Sequence, residues 1–311
     1  SDVCSSDLLL RSLVKSRRPD VVMSSMADVS VPLAFAWKLM PGMRRRTRWI
    51  AREGNNTAVV LQETFPHPFL RRLVERIIAR AYRGADAVIV TSQGVAADLA
   101  GRFGLKRDKL VVIGNPVDTG AIQEAVRETP SIALPDRFIV AVGRLARQKG
   151  FDLLLRAFAA LDDRDLHLVV LGKGPEESAL RSLAVSLGVG GRFHLPGFLA
   201  NPWPVVARAK SFCLSSRWEG FGHVVVEAMA CGTPVVVSGC PHGPGEIVRN
   251  GIDGLVVTPD DWRALHWGLA EVLRDPEAAA RRADAARARA ADFAANRIAR
   301  AYAAAFEGVR A

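Results

Sequence analysis

The segment RWEGFGHVVVEAMACGTPVVV, residues 217–237, contains an apolar helix followed by an apolar strand. The run HVVVEAMAC has helical length and begins after Gly222, while Gly232 and Pro234 interrupt it before the strand VVV. We therefore predict a helix over 223–231 and a strand over 233–239. A helix that leads directly into a buried strand is typical of a parallel α/β sheet.

The same alternation of helix and strand continues through the chain, which predicts parallel sheets covered by helices on both faces. In the first half we predict strands at 19–25, 47–53, 86–92 and 109–117, with helices at 30–40, 69–84 and 93–103. In the second half we predict further strands at 138–144, 166–174, 192–198, 211–216 and 254–257, with helices at 150–161, 175–187, 203–209, 244–250 and 260–274.

Three parts of the chain follow from this pattern. Residues 131–275 form a complete doubly wound, Rossmann-like domain, and Pro130 to Pro135 is the predicted linker. Residues 1–130 form a similar domain that opens partway, so at least one βα unit is expected to be absent. Residues 276–311 are Ala- and Arg-rich and are predicted to form a surface helix with one apolar stripe, consisting of Phe293, Ile298, Tyr302 and Phe306.

Composition places the chain among ordinary globular proteins, since 49% of its 311 residues are hydrophobic and 24% are charged. The apolar run VPLAFAWKLM is broken by Lys38 and is far shorter than the roughly 20 residues that cross a bilayer. The four cysteines show no spacing typical of a zinc site. We interpret them as reduced, mostly buried thiols of an intracellular protein.

Positive charge is concentrated in the first half of the chain. Residues 1–130 hold 20 Lys and Arg against 13 Asp and Glu, and residues 131–311 hold 22 against 19. Part of the excess is a stripe along one face of the helix predicted at 69–84, formed by Arg72, Arg76, Arg80 and Arg83. Two interpretations stay open: a solvated face, or a surface for anionic lipid or an anionic acceptor. Nucleic acid is disfavoured because no aromatic residues interleave the arginines.

Two glutamates stand out in the opening segment. Glu219 precedes the predicted helix and Glu227 lies about one and a half turns inside it, so both carboxylates can point into one crevice. A carboxylate there needs hydrogen-bond donors, and sugar or ribose hydroxyls are suitable. Gly220 and Gly222 leave backbone N–H groups open to an anion at the helix N-terminus. The structural alternative is a first-turn acidic residue and an exposed helix residue.

The turn VGRLARQKG provides complementary charge. Arg144 and Lys149 follow a buried strand and precede the next helix, at the end of the sheet where α/β proteins bind ligands. A guanidinium and an ammonium suit a diphosphate and can stabilise charge on a departing nucleoside diphosphate. The alternative is a pair of solvated loop cations.

Two other motifs are set aside. LGKGP, residues 171–175, lacks the third glycine of a dinucleotide fingerprint, so a dehydrogenase is disfavoured. Asp163, Arg164 and Asp165 imitate an acidic metal motif but precede their strand, at the edge opposite the expected crevice. We therefore predict no metal and no cofactor.

Taken together, VGRL with QKG, LGKGP, LPGF and SSRWEGFGHVVVEAMACGTPVV resemble the retaining, GT-B-fold glycosyltransferases of the family-4 type. GADAVIVTS and VIGNPVD in the first half also resemble that family. The resemblance covers the chain from about Pro19 to its end. It implies a GT-B fold, in which two Rossmann-like domains face each other across a cleft.

The resemblance also implies roles for individual residues on the donor side. Arg144 and Lys149 would hold the diphosphate, Glu219 would bind hydroxyls of the transferred sugar, and Glu227 would accept from the ribose. Further donor contacts would come from the backbone at Gly220, Phe221, Gly222 and His223, and from Gly197, Phe198 and Leu199 against the base. The departing phosphate is expected to assist a same-face attack, without a protein nucleophile.

The acceptor side is less well marked. Relatives carry a Gly-rich loop after the first strand and often a His where this chain has AREGNNT, and this chain has neither. We name Glu53, Asn55 and Asn56 as acceptor-side candidates, whereas His67 could equally be an ordinary loop residue.

The resemblance predicts a transferase that moves a sugar, expected from a UDP-sugar, to a cell-envelope saccharide or lipid-linked acceptor with retention. The expected location is cytoplasmic, with peripheral contact of the basic first half with the inner membrane face and no nucleic-acid partner. Two alternatives stay open: an inactive nucleotide-sugar-binding module, and a nucleotide-sugar epimerase of the same fold.

Overall fold

A computed structural model describes residues 16–310 of the protein. The chain folds into two compact units. One comprises the chain up to Gly114 together with the segment from Ile298 onward, and the other comprises Asn115–Arg297. The division after Gly114 lies upstream of the predicted boundary at residue 130, and it also divides the predicted tail.

The predicted strands and helices occur in the predicted order, and the structure adds three helices that we did not predict, at Pro41–Arg44, Thr57–Thr64 and Thr119–Ala125. The strands are β1 (Val21–Ser25), β2 (Arg48–Glu53), β3 (Ala87–Val90), β4 (Leu110–Val112), β5 (Phe138–Val142), β6 (His167–Leu171), β7 (Phe193–Gly197), β8 (Ser211–Leu214), β9 (Val235–Ser238) and β10 (Leu255–Val257). The helices are α1 (Ala27–Lys38), α2 (Pro41–Arg44), α3 (Thr57–Thr64), α4 (Pro68–Arg83), α5 (Gln93–Gly101), α6 (Thr119–Ala125), α7 (Phe151–Ala159), α8 (Glu177–Ser186), α9 (Trp203–Val206), α10 (His223–Cys231), α11 (Pro244–Ile247), α12 (Trp262–Arg274), α13 (Pro276–Ala290) and α14 (Ala295–Arg310).

The sheet of the first unit is parallel, with the described strands in the order β1-β2-β3-β4. Its side chains alternate between two faces, as the period of a strand requires. Trp49 and Val88 pack in the cluster formed with α1, α4 and α5, whereas Ile50 and Ile89 pack in the cluster that contains Ile298 of α14. Helices therefore cover both faces of this sheet.

The sheet of the second unit is also parallel and has the order β10-β9-β8-β5-β6-β7. Strand β5 pairs with both β6 and β8, so the winding direction reverses between β5 and β8. Ile139 and Ala141 face one core cluster, and Phe138 and Val140 face the other. The predicted α/β fold with two parallel sheets is confirmed. The reversal predicts a ligand crevice beyond the carboxyl ends of β5 and β8.

The C-terminal tail differs from the single surface helix that we predicted. Helix α13 ends at Ala290, a short 3-10 turn follows at Ala291–Phe293, and Ala294 leaves the helical region with ψ of 140°. Helix α14 then packs its apolar stripe on the first sheet. The Tyr302 hydroxyl accepts a hydrogen bond from Arg52 Nε at 2.9 Å. Ile298, Tyr302 and Phe306 of the predicted stripe lie together on the first sheet, whose strands come from the opposite end of the sequence. Phe293, which we predicted to share that stripe, lies in the 3-10 turn and packs against Phe221 of the second unit.

Two predictions about composition can be compared with the described residues. Cys213, Cys231 and Cys240 are free and buried, as expected for reduced thiols, whereas Cys4 lies outside the described residues. Within residues 16–310, no helix combines the length and hydropathy that a membrane crossing requires.

Candidate active site

The strands on either side of the reversal bring together two loops that are far apart in sequence. The loop after β5 carries Lys149, and the loop after β8 carries Glu219. Lys149 Nζ lies 2.6 Å from Glu219 Oε1, and the two side chains are only 18% and 8% exposed. The structure therefore joins two residues that the sequence predicted as separate parts of a donor site.

Lys149 balances the charge of Glu219, but one oxygen of the Glu219 carboxylate can still accept a hydrogen bond from a ligand. Besides Lys149, the hydroxyl of Ser216 donates to Oε1 at 2.7 Å. The other oxygen, Oε2, accepts no hydrogen bond from the described residues. A carboxylate that is held in place by a cation and has one oxygen without a partner can accept hydrogen bonds from the hydroxyl groups of a sugar. Ser216 is a contributor that the sequence did not predict.

The two loops are connected by hydrogen bonds to main-chain carbonyls of the first loop. Ser215 Oγ donates to the carbonyl of Lys149 at 2.8 Å, and the Arg217 N–H donates to the carbonyl of Gln148 at 2.8 Å. Gly150 makes this approach possible, since its φ is 62° and a Cβ there would lie 2.2 Å from the Ser215 carbonyl oxygen. The position of Lys149 beside Glu219 is thus fixed by main-chain geometry.

Arg217, in the loop after β8, makes further contacts with the loop after β5 and with the start of α7. Its guanidinium donates to both carboxylate oxygens of Asp152 at 2.8 Å, and Nε donates to Asp260 at 2.8 Å. Burial by itself would raise the pKa of Asp152, but the hydrogen bonds and charge of Arg217 hold that pKa below its usual value. The sequence did not predict this contact, because Asp152 looks like an ordinary first-turn acidic residue of α7.

Two further cations lie at the same end of the sheet. Arg144, in the loop after β5, is exposed, and its guanidinium makes no hydrogen bond or ion pair with the described residues. Lys173, in the loop after β6, is also exposed, and its Cε lies close to Gly197 at the end of β7. Both cations are available to an anionic ligand, and Lys173 was not predicted.

The N-terminus of α10 is shaped as predicted. Gly222 adopts a left-handed conformation, with φ of 95°, and no side chain caps the helix. An uncapped N-terminus presents backbone N–H groups to an anion. His223 is exposed beside it, but the Phe221 ring is buried against His223 and Phe293. Phe221 can therefore contribute only its backbone, as predicted, because its side chain belongs to the core.

Glu227 lies in α10 and is half-buried, and its carboxylate has no hydrogen-bond partner among the described residues. Its charge is close enough to act on Cys231. Burial, assisted by Glu227, raises the pKa of Cys231 to about 12, and burial, assisted by Glu219, raises the pKa of Cys240 to about 12. Neither thiol can therefore serve as a thiolate nucleophile near neutral pH.

The segment predicted to contact a base follows β7. Gly197 ends that strand, the Phe198 side chain is 70% exposed, and Leu199 packs partly against the core. An exposed aromatic ring at the carboxyl edge of the sheet is a suitable surface on which a base can stack.

The acceptor-side candidates in the first unit have structural contacts. Glu53 is buried, and its carboxylate accepts from the Tyr82 hydroxyl at 2.6 Å and from the Asn55 N–H at 3.0 Å. Asn56 caps α3 by accepting from the Val59 N–H. Only Asn55 of the three predicted residues is exposed, and His67 is an exposed residue that precedes α4.

The acidic motif that we set aside lies where predicted, before β6. Asp163 forms an ion pair with Arg137 at 3.0 Å and accepts from the backbone of Asp165. Within residues 16–310, no three His, Cys, Asp or Glu side chains converge as metal ligands would.

These features define an α/β protein whose second unit gathers charged side chains from two loops at the reversal of its sheet. The family model described as "Glycosyl transferases group 1" matches residues 122–289, and the model described as "Glycosyltransferase Family 4" matches residues 3–121. The chain therefore belongs to the group 1 glycosyl transferases.

Similar proteins are known from several bacteria. The chain is 33% identical over 254 residues to the N-acetylgalactosamine-N,N'-diacetylbacillosaminyl-diphospho-undecaprenol 4-alpha-N-acetylgalactosaminyltransferase of Campylobacter jejuni, an alignment that covers 79% of this chain and 69% of the relative. It is 33% identical over 197 residues to the lipopolysaccharide core biosynthesis glycosyltransferase LpsE of Rhizobium meliloti, covering 62% of this chain and 56% of that one. The chain thus spans between about half and two thirds of these relatives.

Solved structures show the same fold. The Anabaena protein HepE, solved in complex with UDP, superposes with a TM-score of 0.82 at 22% identity, covering 97% of this chain and 82% of HepE. The lipopolysaccharide outer core galactosyltransferase WaaB in its apo form superposes with a TM-score of 0.77 at 20% identity, covering 98% of this chain and 80% of WaaB. At these identities the likeness concerns the fold.

Proposed function

We propose that the protein transfers a hexosyl or N-acetylhexosaminyl group from a UDP-sugar to a cell-envelope saccharide or lipid-linked acceptor, with retention of configuration. The observation that supports this most directly is the Lys149–Glu219 pair at the reversal of the second sheet. The Campylobacter relative acts on a diphospho-undecaprenol substrate and HepE was solved with UDP, which favours this donor and acceptor class.

The proposed donor site assigns a task to each group. Arg144 and Lys149 bind the diphosphate and stabilise the negative charge that develops as it departs. Glu219, fixed by Lys149, accepts hydrogen bonds from the transferred sugar, and Glu227 accepts from the ribose hydroxyls. Phe198 stacks on the base. We assign the attack to the acceptor hydroxyl, on the face from which the diphosphate leaves.

The first test is nucleotide binding, which needs no knowledge of the acceptor. Calorimetric titration with UDP, GDP and ADP should show one preferred nucleotide, expected to be UDP. Glu227→Ala should weaken that binding by about 1–3 kcal/mol, since it removes a charged acceptor of two hydroxyls. Glu177→Ala, at an exposed carboxylate on α8, is the matched control and should leave binding unchanged. Equal binding by both variants would remove Glu227 from the site.

Product analysis then separates the proposed reaction from its alternatives. Transfer to a lipid-diphosphate saccharide with an α-linkage from an α-linked donor would support the retaining transferase. An epimerised UDP-sugar in the absence of acceptor would indicate an epimerase, and binding without either product would indicate a binding module. Activity that is abolished by a chelator and restored by manganese would contradict the proposed metal independence.

We also propose that the protein works in the cytoplasm, on the inner face of the membrane that holds its acceptor. The acceptor class of the Campylobacter relative and the net charge of +10 of this chain support that location. Glu53 and Asn56 are less suitable acceptor contacts than predicted, because their side chains are engaged, so Asn55 is the remaining candidate.

A further inference from the structure

The carboxyl edge of the second sheet carries a cation that the proposed donor site does not use. Lys173 follows β6, its side chain is exposed, and its ammonium has no hydrogen-bond or ion-pair partner within residues 16–310. Lys149, in the loop after β5, is by contrast paired with Glu219 at 2.6 Å. Parallel α/β sheets bind ligands at this edge, so the ammonium of Lys173 is available to an acceptor group of a ligand.

The main chain around Lys173 is held in place. The Leu145 N–H donates to the Lys173 carbonyl at 3.0 Å, and the Gly172 N–H donates to the Gly197 carbonyl at 2.9 Å. Gly172 also lies so close to the loop after β5 that a Cβ at this position would clash with the Gly143 carbonyl. The backbone of Lys173 is therefore fixed between the loop after β5 and the end of β7.

The side chain of Lys173 extends from β6 towards the end of β7. Its Cε lies 3.5 Å from the position that a Cβ of Gly197 would occupy, so the ammonium, one bond further along, is close to that strand end. Phe198 follows Gly197 directly, and its ring, which is 70% exposed, is the surface that we propose for the base. The positive charge of Lys173 therefore lies on the side of the proposed base, whereas Arg144 and Lys149 lie in the loop after β5.

An ammonium group discriminates between nucleobases because it can only donate hydrogen bonds. Uracil carries a carbonyl oxygen at position 4, which accepts a hydrogen bond, whereas cytosine carries an amino group there, which donates. A lysine beside this edge binds the carbonyl oxygen but leaves the amino group facing another donor. UDP and CDP otherwise agree closely in size and in the charge of the diphosphate, so this one position can decide between them.

We propose that Lys173 determines the base specificity of the donor site by donating a hydrogen bond from its ammonium to the O4 carbonyl of uracil. The inference rests on the proposed function and goes beyond it, because it assigns the choice of UDP-sugars over CDP-sugars to one side chain. Phe198 offers a face for stacking, which every base can use, and therefore cannot make that choice. The bases differ at their edges, which is where Lys173 acts.

Calorimetric titration of the full chain with UDP and with CDP tests the assignment. The parent chain should bind UDP about tenfold or more tightly than CDP, as expected for one hydrogen bond from a charged donor. Lys173→Met keeps most of the length of the side chain but cannot donate, so it should weaken UDP binding by about tenfold and bring the two affinities close together. Lys173→Glu, whose carboxylate accepts from an amino group, should reverse the order and favour CDP.

The matched control is Lys210→Met, which removes an exposed ammonium that precedes β8, at the opposite edge of the same sheet. Its affinities for UDP and CDP should equal those of the parent chain. If Lys173→Met lost affinity for UDP and CDP by the same factor, the ammonium would contact the diphosphate, and the assignment to the base would be wrong. Unchanged affinities in Lys173→Met would make Lys173 an ordinary solvated lysine and would also overturn the proposal.

Failure of the donor site itself would give a different result. The parent chain would then bind neither nucleotide, which would overturn both the proposed function and the role of Lys173. A parent chain that prefers UDP, together with a Lys173→Met variant that keeps the same preference, would overturn only the role of Lys173.

Discussion

At the scale of single residues, Arg217 connects the loops that carry Lys149 and Glu219. Lys149 and Glu219 come from loops on two different strands, and their alignment requires both loops to stay in register. Arg217 connects the second loop to Asp152 at the start of α7, immediately after the loop of Lys149. A planar guanidinium can hold a carboxylate with two parallel bonds, whereas an ammonium cannot.

We therefore expect Arg217→Lys to weaken UDP binding by about tenfold while the protein stays folded, because the two loops lose their fixed spacing. Isothermal calorimetry measures the affinity, and circular dichroism confirms the fold. Arg181→Lys is the matched control, since Arg181 also binds a carboxylate but does so on the exposed surface of α8. A UDP affinity unchanged in Arg217→Lys would show that the contact does not position the site.

The contact between Arg217 and Asp152 also predicts a dependence of stability on pH. The folded-state pKa of Asp152 lies below its usual value of 3.8, so the carboxylate stabilises the fold above that pH and loses this effect as pH falls through the folded-state pKa. Asp152→Asn should therefore be less stable than the parent chain by at most about 1 kcal/mol near neutral pH.

Urea unfolding of both proteins between about pH 3 and 7 measures this difference. It should stay constant above about pH 5 and shrink below about pH 4. Glu177→Gln, which breaks an exposed pair with Arg181, should differ much less from the parent at every pH. A difference for Asp152→Asn that grows on acidification would contradict the assignment.

At the scale of elements, the close approach of α7 and the loop after β8 sets the shape of the crevice. Gly150 begins α7 in a left-handed conformation, and its missing Cβ leaves room for the Ser215 carbonyl. Gly188, after α8, has a similar φ of 73° but faces open space. Comparing substitutions at the two glycines therefore separates the free-energy cost of the left-handed backbone conformation from the cost of the clash with Ser215.

Gly188→Ala should cost about 1 kcal/mol of unfolding free energy, from backbone strain alone. Gly150→Ala should cost about 1–3 kcal/mol more, because a backbone carbonyl has to move, and it should also weaken UDP binding. Chemical denaturation and calorimetry measure the two effects. Equal destabilisation by the two substitutions would mean that the loop after β8 adjusts freely.

The sequence predicted the elements of the second unit well, for a physical reason. Its strands are buried on both faces and are therefore short, continuous apolar runs. Few other elements of secondary structure have this pattern. Helix α6 was missed because Thr119–Ala125 is short and has only a weak apolar pattern, although Asp118 caps it. Contacts such as Arg217 with Asp152 were missed because either residue alone is compatible with an ordinary exposed position.

At the scale of the whole molecule, helix α14 belongs mostly to the same unit as β1–β4, although the second unit lies between them in sequence. The stripe of α14 was visible in the sequence, but nothing in it indicated which surface it covers, since any apolar strand face would suit it. The structure places Ile298 against Ile50 and Ile89 of the first sheet. The C-terminal helix is therefore part of the first unit's core and not an appendage of the second unit.

This arrangement predicts that Ile298→Ala destabilises the first unit selectively. Ile298 is 7% exposed, and removing its side chain should cost about 2–5 kcal/mol in that unit. Because a chain of two units need not unfold in one step, hydrogen exchange followed by mass spectrometry is the suitable measurement. Amides of β2 and β3 should lose protection, whereas those of β5 and β8 should keep it.

Ile252→Ala, at a residue that is 56% exposed in the second unit, should change neither set of amides. Equal loss of protection in both units after Ile298→Ala would show that they unfold together, and loss confined to β5 and β8 would contradict the assignment of α14 to the first unit.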